Sequence, residues 1–480
     1  MPRSEHTTPR APAATVAIAG ASGFVGRALT RALAPTHDVI ALARSAKGHD
    51  ERDGVVWRAC DLFNLRAAES ALEGAEVAVY LVHSMMPSAR LTQGRFDDLD
   101  LICADNFARA AAKNGVRHIV YLGGLLPAAE DELSRHLESR FEVERTLAAH
   151  GVAVTTLRAG LIIGAGGSSF DMMARLVGRL PFMLGPSWTR SLSQPIALDD
   201  AVALLEAAVA RPELAGRAYD IAGPDVVSYA DMLRMTGAAQ GRRTRVLTLP
   251  IRTVKLSLLW VSVITGASQA LVRPLVESLR HDMVARDGLE LQRLVGLEAQ
   301  PLRAALEQAV RDEKARAGRA ATARPRAASA RDRRVCSVQR LRVREGRDAT
   351  SVAEEYVRWL PRFMRPLLRV TVDEARTCRF YLWPLRDALL ELTFSNDRSS
   401  RDRQLFYVTG GSLLGASEGA RPRLEFREVL GGAYVLAAIH DFVPRLPWYI
   451  YKYTQAQVHL FVMRGFARHL AHEIDAVAPA

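Results

Sequence analysis

Gly20, Gly23 and Gly26 fall in the spacing G-x-x-G-x-x-G directly after the apolar, β-branched run of residues 15–19. A glycine turn between a strand and a helix leaves backbone N–H groups uncovered. The positive end of the helix dipole points the same way, so the pattern suits a pyrophosphate. Gly20 allows the tight turn, Gly23 the close approach of the phosphates, and Gly26 the close packing of helix on strand. Ser22, Phe24 and Val25 lie in the same turn and join the glycines as cofactor-binding candidates. A glycine triplet alone is weak evidence, because any tight turn can demand glycine. What strengthens it here is context: a strand before, and a helix after with Val25, Leu29 and Leu33 recurring every four residues.

Further candidates lie where the following strands end. Residues 38–43 read as a second strand finishing at Arg44, with Lys47 nearby and no acid at the strand end. A carboxylate about 20 residues past the glycines holds ribose hydroxyls, whereas an arginine there accommodates a 2′-phosphate, so NADP(H) is expected in preference to NAD(H). The bland alternative is a solvated arginine. A third strand at residues 55–59 delivers Asp61 and Leu62, which suit an adenine amine and ring; Asp61 equally suits the N-cap of a helix beginning near Leu65. His83 follows a fourth strand at 77–82 and lies where the chain passes the cofactor, and Arg158 follows a sixth at 152–157. These strands, a fifth at 118–122 and helices such as 97–113 alternate, which implies an α/β fold with a doubly wound parallel sheet and ligands at its carboxyl edge.

At 480 residues the chain is long enough for two domains. Its net charge of +12 is uneven: residues 311–334 hold nine Arg or Lys and three Asp or Glu. That Ala/Arg-rich stretch has no apolar period and reads as a basic linker, the alternative being an anchor for anionic lipid or nucleic acid. No nucleic-acid fold signature is present. The expected division is a polar tail at 1–13, a cofactor domain with substrate lobe at 14–310, a linker at 311–335 and a second domain at 336–480. Cys60, Cys103, Cys336 and Cys378 lack metal or disulfide spacing, which together with the absence of an apolar leader suggests the cytoplasm and no metal.

GASGFVG at 20–26, YLVHS at 80–84, YLGGL at 121–125 and QPIALDDAV at 194–202 resemble the extended and atypical short-chain dehydrogenase/reductases, in particular NmrA-like proteins and the Rossmann-type accessory subunit of respiratory complex I. The resemblance covers about residues 14–300 and implies a Rossmann domain holding NAD(P)(H) beside a substrate lobe. It also implies a Tyr and, four residues on, a Lys on the helix after the fifth strand, with a Ser just after that strand. Here His136 and Arg140 stand at the Tyr and Lys positions, and Gly123 and Gly124 replace the Ser. A spacing of four puts both side chains on one helix face, where His136 can move a proton and Arg140 can hold a ribose or phosphate.

Ser168 and Ser169 follow in a glycine-rich loop, and Asp199 with Asp200 reads as the cap of a helix at 201–210. The most apolar stretch, 256–267, is too short to cross a bilayer and reads as a buried or interfacial helix. Beyond the linker, strand patterns near 337–343, 379–383, 389–394, 404–408, 423–429 and 433–439 precede a long helix at 448–471. They imply an α+β domain in which an antiparallel sheet grips the helix. Aromatic residues crowd that helix, either as plain packing or as the wall of an apolar cavity. Two functions follow. One is an NADP(H)-dependent oxidoreductase or isomerase on an unknown apolar small molecule. The other is a non-catalytic NADP(H)-binding sensor or assembly factor whose second domain binds a lipid-like ligand, a partner or the membrane periphery.

Overall fold

The computed structural model describes residues 14–49, 52–83, 91–127, 133–249, 278–320, 334–366, 368–383, 385–415 and 421–475. The chain divides into two compact units, Met1–His83 with Asn106–Pro325, and Ser84–Asp105 with Arg326–Ala480. The first unit is built on seven parallel strands: β1 (Thr15–Ala19), β2 (Asp38–Ala43), β3 (Val55–Ala59), β4 (Val77–Tyr80), β6 (His118–Gly124), β7 (Ala153–Ala159) and β12 (Ala218–Ile221). Their order is β12-β7-β6-β4-β1-β2-β3, so the winding reverses between β1 and β4. A crevice opens at the carboxyl ends of strands where winding reverses, and this is the natural ligand site of an open α/β sheet. β1, β2 and β4 are buried almost throughout, as strands covered on both faces must be. Helix α1 (Phe24–Leu33) buries Leu29 and Leu33 in the same core as Val16, Ile18 and Val79.

Several local expectations change. The N-cap of α2 (Leu65–Ala71) is Asn64, whose side chain accepts from the amides of Arg66 and Ala67; Asp61 instead accepts from the Phe63 amide one turn earlier. Ser168 and Ser169 open α5 (Ser168–Arg179) rather than lying in a loop. Asp199 and Asp200 sit inside the first turn of α6 (Leu198–Ala210), where Asp200 accepts from the Gln300 amide. Short pairings of β8 (Ile162–Ile163) with β11 (Ile196–Ala197), β9 (Phe182–Gly185) with β14 (Arg245–Thr248) and β10 (Leu192–Ser193) with β13 (Val227–Ser228) complete the lobe. They accompany α7 (Tyr229–Ala239) and α8 (Leu302–Ala320), which share a core with α5. The first ten residues of the expected linker therefore continue a helix. Ala, Arg, Lys and Glu are good helix formers even where no apolar stripe remains. The expected tail at 1–13 and the apolar stretch at 256–267 lie outside the described residues.

The second unit carries an eight-stranded sheet of β5 (Leu91–Gln93), β15 (Val335–Arg342), β16 (Leu368–Val372), β17 (Cys378–Leu382), β18 (Leu390–Phe394), β19 (Arg403–Gly410), β20 (Arg423–Val429) and β21 (Tyr434–Phe442). It runs β16-β17-β18-β19-β20-β21-β15-β5, antiparallel except for the β15–β5 edge. β5 and the residues of α3 (Phe96–Lys113) up to Asp105 belong to this unit, although they precede most of the first unit in sequence. One face of the sheet packs on α9 (Ala349–Phe363) and the long C-terminal helix α11 (Gln455–Asp475), which the short α10 (Trp448–Tyr453) precedes. Tyr356, Phe406, Phe426 and Phe466 fill the space between sheet and helices, which favours packing over an apolar cavity there.

The other face is charged and also buried. Leu424 and Phe426 of β20 enter the core, while Glu425 and Arg427 between them point the opposite way at 1% exposure each. Arg427 reaches Asp105 at 2.7 Å, Arg403 reaches Glu425 at 2.7 Å, and Arg340 reaches Asp98 at 2.8 Å. Burial raises the Glu425 pKa, but Arg427 and Arg403 overcome that and hold it well below the carboxylate range. Every buried charge here has a partner, as desolvation requires.

Candidate cofactor site

The turn after β1 is built for an anion. Gly20 adopts φ +86° and accepts from the Gly23 amide at 2.8 Å. Gly23 caps α1 with no side-chain hydrogen bond, and no acid stands in the first turn, so the leading N–H groups face outward uncapped. A Cβ at Gly26 would lie 2.1 Å from the Gly20 carbonyl oxygen, which is why only glycine fits there. Ser22 and Gly23 are exposed at the turn. Val25 packs against the core, and Phe24 turns its ring toward the loop before α5, where a Cβ on Gly164 or Gly167 would meet it at 3.0 or 2.9 Å.

A basic cluster flanks this turn. Arg27 donates to the Ser22 carbonyl at 2.6 Å. Burial, then the guanidiniums of Arg316 and Arg31, lower the Arg27 pKa. Arg316, on α8, lies so near Gly166 (φ +83°) that a Cβ there would overlap its Nη1. Arg316 lies 3.7 Å from the Glu313 carboxylate, one turn back on the same helix. Like charges gathered at an uncapped helix N-terminus fit a diphosphate well. Sequence reasoning passed over Arg316 because it lies in the stretch read as linker; the signal available was the unbroken run of helix formers through Ala320.

At the strand ends, Arg44 is exposed immediately after β2, and Asp61 is exposed after β3. Leu62 is half-buried, and its carbonyl accepts from Asn106 at 2.7 Å. His49 stacks on Trp57 with ring centroids 3.8 Å apart, an aromatic pair that the strand pattern did not signal.

The chemical end brings two expected residues together: the rings of His83, after β4, and His136, on α4 (Arg135–Leu147), lie 5.0 Å apart. Ser134 caps α4 by accepting from the Leu137 amide, which fixes where His136 projects. Arg140, one turn on, donates from Nη2 to the Leu122 carbonyl at 2.7 Å and lies over the Tyr121 ring at 5.3 Å. Its Nη1 is buried with no hydrogen-bond partner among the described residues. Arg158 is not brought to this group: it is held bidentately by Glu144, at 3.1 and 2.7 Å. In the second unit, ligand atoms of Glu355, His469 and Glu473 lie within 4.8 Å of one another, but Glu473 is already paired with Arg347 and nothing else there points to a metal.

Residues 20–168 match the family described as NAD(P)H-binding. The auxiliary protein GraX of Staphylococcus aureus is 32% identical over 110 residues, 23% of this chain and 36% of that one. A ceramide reductase of Caulobacter vibrioides is 29% identical over 238 residues, 49% of this chain and 73% of that one. The Escherichia coli NADPH-dependent quinone oxidoreductase, solved with NADPH, superposes at TM-score 0.48 and 19% identity over 61% of this chain and 98% of that one. The chain spans well under half the length of the first curated relatives it matches. Among the described residues no helix is long and apolar enough to cross a membrane. Residues 20–168, which match the family described as NAD(P)H-binding, thus carry the glycine turn and lie within a sheet of the Rossmann type.

Proposed function

We infer that this protein is an NADP(H)-dependent oxidoreductase acting on an apolar carbonyl substrate, with His136 as the proton donor. The observation that carries this reading is the His83–His136 pair at the carboxyl edge of the sheet. The turn residues 20–26, Arg27 and Arg316 would hold the diphosphate, Arg44 the 2′-phosphate, and Asp61 with Leu62 the adenine. When bound in reduced form, the coenzyme would supply a hydride for the carbonyl carbon. His136 gives a proton to the oxygen that becomes negative, and His83 steadies its ring. Arg140, through the buried Nη1 that has no partner among the described residues, would donate to the same oxygen or to the ribose. Likeness to a ceramide reductase supports a lipid-like carbonyl compound as the substrate class.

The test is NADPH consumption with long-chain ketones, enones and quinones, after NADPH binding has been shown by fluorescence. We expect His136→Ala to bind NADPH unchanged and to lose about a hundredfold or more in turnover, the usual size of a lost general acid. A second reading is favoured by one feature, that Gly123 and Gly124 stand where the resembled family carries its serine. In that reading the domain binds NADP(H) as a sensor. Binding with no turnover across the whole panel, and no effect of His136→Ala, refutes the enzyme and favours the sensor.

A further inference from the structure

Three connections of the second unit lie side by side at one end of its sheet. The Ser412 and Leu413 amides donate to the carbonyls of Ala388 and Leu389 at 3.0 and 3.1 Å, joining the β17–β18 connection to the loop after β19. The Arg445 amide donates to Leu413 at 3.1 Å, and Gly415 to Val443 at 2.8 Å, joining that loop to the segment after β21. α10 follows at once. This end exposes large apolar side chains: Trp383 is 81% exposed, Tyr453 is 73% exposed, and Leu385, Tyr449 and Ile450 are also out. α10 is anchored by Tyr451, buried beside Phe442, so its neighbours are held outward rather than frayed. A helix that only had to cap the core would carry polar residues at those positions.

The charges around these side chains are mostly positive, with exposed Asp387 beside Arg386 the one acid in the Trp383 loop. From Val443 to His472 the chain carries Arg445, Lys452, Arg464 and Arg468 and no Asp or Glu. Arg386 is exposed in the loop of Trp383, and Arg445 precedes α10. Lys452 lies 5.5 Å over the Tyr453 ring. Exposed Trp and Tyr mixed with Arg and Lys is the composition of a surface lying at a bilayer's headgroup level, where rings meet acyl chains and cations meet anionic lipid.

We propose that this end of the second unit, formed by the Trp383 loop and α10, docks on the surface of an anionic lipid bilayer. A protein partner with an apolar patch meets the rings equally well, but Arg386, Arg445 and Lys452 outweigh Asp387, and that positive excess selects an anionic surface. Docking there sets the protein where an apolar substrate partitions. The inference stands on the second unit alone and does not require the nucleotide.

The experiment is sedimentation of the full chain with phosphatidylcholine vesicles, with and without about one third phosphatidylglycerol. Binding to the anionic vesicles only, weakened by salt, is expected. Substituting Arg386, Arg445 and Lys452 together by Gln is expected to lower partitioning about a hundredfold, at about fivefold for each cation. Trp383→Ser with Tyr453→Ser is expected to abolish binding. Phe182→Ser, which removes an exposed ring of the first unit, is expected to leave it unchanged. Unaltered NADPH fluorescence and thermal unfolding show that the variants are folded. Absence of pelleting with anionic vesicles at low salt overturns the proposal, as does equal pelleting by all variants. Conversion of a dimer to a monomer by the Trp383 and Tyr453 changes, seen by light scattering, also overturns it by assigning the patch to a second copy.

Discussion

Replacing Gly26 by alanine places a methyl carbon 2.1 Å from the Gly20 carbonyl oxygen and 2.8 Å from the Ala21 Cα. Non-bonded carbon contacts relax at about 3.5 Å, and both neighbours are backbone, so the start of α1 must retreat by about 1 Å. The amides at the head of α1 retreat with it. A charge-assisted hydrogen bond of about 2.9 Å stretched by that much is lost, at about 1.5–3 kcal/mol each. Losing two such bonds to the diphosphate weakens NADPH by about two to four orders of magnitude. Gly23→Ala supplies the internal comparison: its Cβ meets the same oxygen at 3.0 Å, and its φ of −75° suits alanine, so a shift of a few tenths of an ångström suffices. Fluorescence titration with NADPH, paired with thermal unfolding to verify the fold, reads both. A folded Gly26→Ala protein that binds NADPH within about threefold of the unsubstituted one refutes diphosphate binding at this turn.

Arg44→Ala should weaken NADPH about tenfold or more while leaving NADH nearly untouched, and Arg316→Ala should weaken both alike; equal loss for both coenzymes in Arg44→Ala removes the 2′-phosphate argument. His459 on α11 has a buried Nε2 with no hydrogen-bond partner among the described residues, and burial lowers its pKa to about 4. The unfolded chain therefore binds the proton more readily. Stability is fully present above about pH 6.5 and is lost as pH falls through about 4, by at most about 3 kcal/mol. Urea midpoints from pH 7 to 4 should lose that part of the slope in His459→Gln, and an unchanged slope contradicts the assignment. Arg427→Ala removes one of the two guanidiniums that hold Glu425, and the cation that holds Asp105, from a dry site and should cost the second unit about 3 kcal/mol by urea unfolding; a change under about 1 kcal/mol refutes the network's role.

The glycine turn was legible because its determinants are local. Strand, three glycines and amphipathic helix lie within residues 15–33, and a close approach of Gly26 to Gly20 needs no distant partner. The alternating strands and helices of the first unit were legible for the same reason. The pairing of His83 with His136 required the chain after β4 and the first turn of α4, from different βα units, to meet, and the sequence indicated His136 only through resemblance. Arg158 shows the converse: its place at a strand end suggested a ligand, and Glu144 on the facing helix took it instead.

Sequence by itself determined the Rossmann core, since a buried parallel strand and a glycine turn each write their requirement into consecutive residues. Only the tertiary structure decided that residues 84–105 join the second unit, and that Arg316 reaches back to the first turn. It also decided the fate of β20. The alternation Leu424, Glu425, Phe426, Arg427 tells which side chains share a face, but it reads the same whether the polar face meets water or other charges. Asp105 and Arg403, remote in sequence, settled it by burying that face as ion pairs.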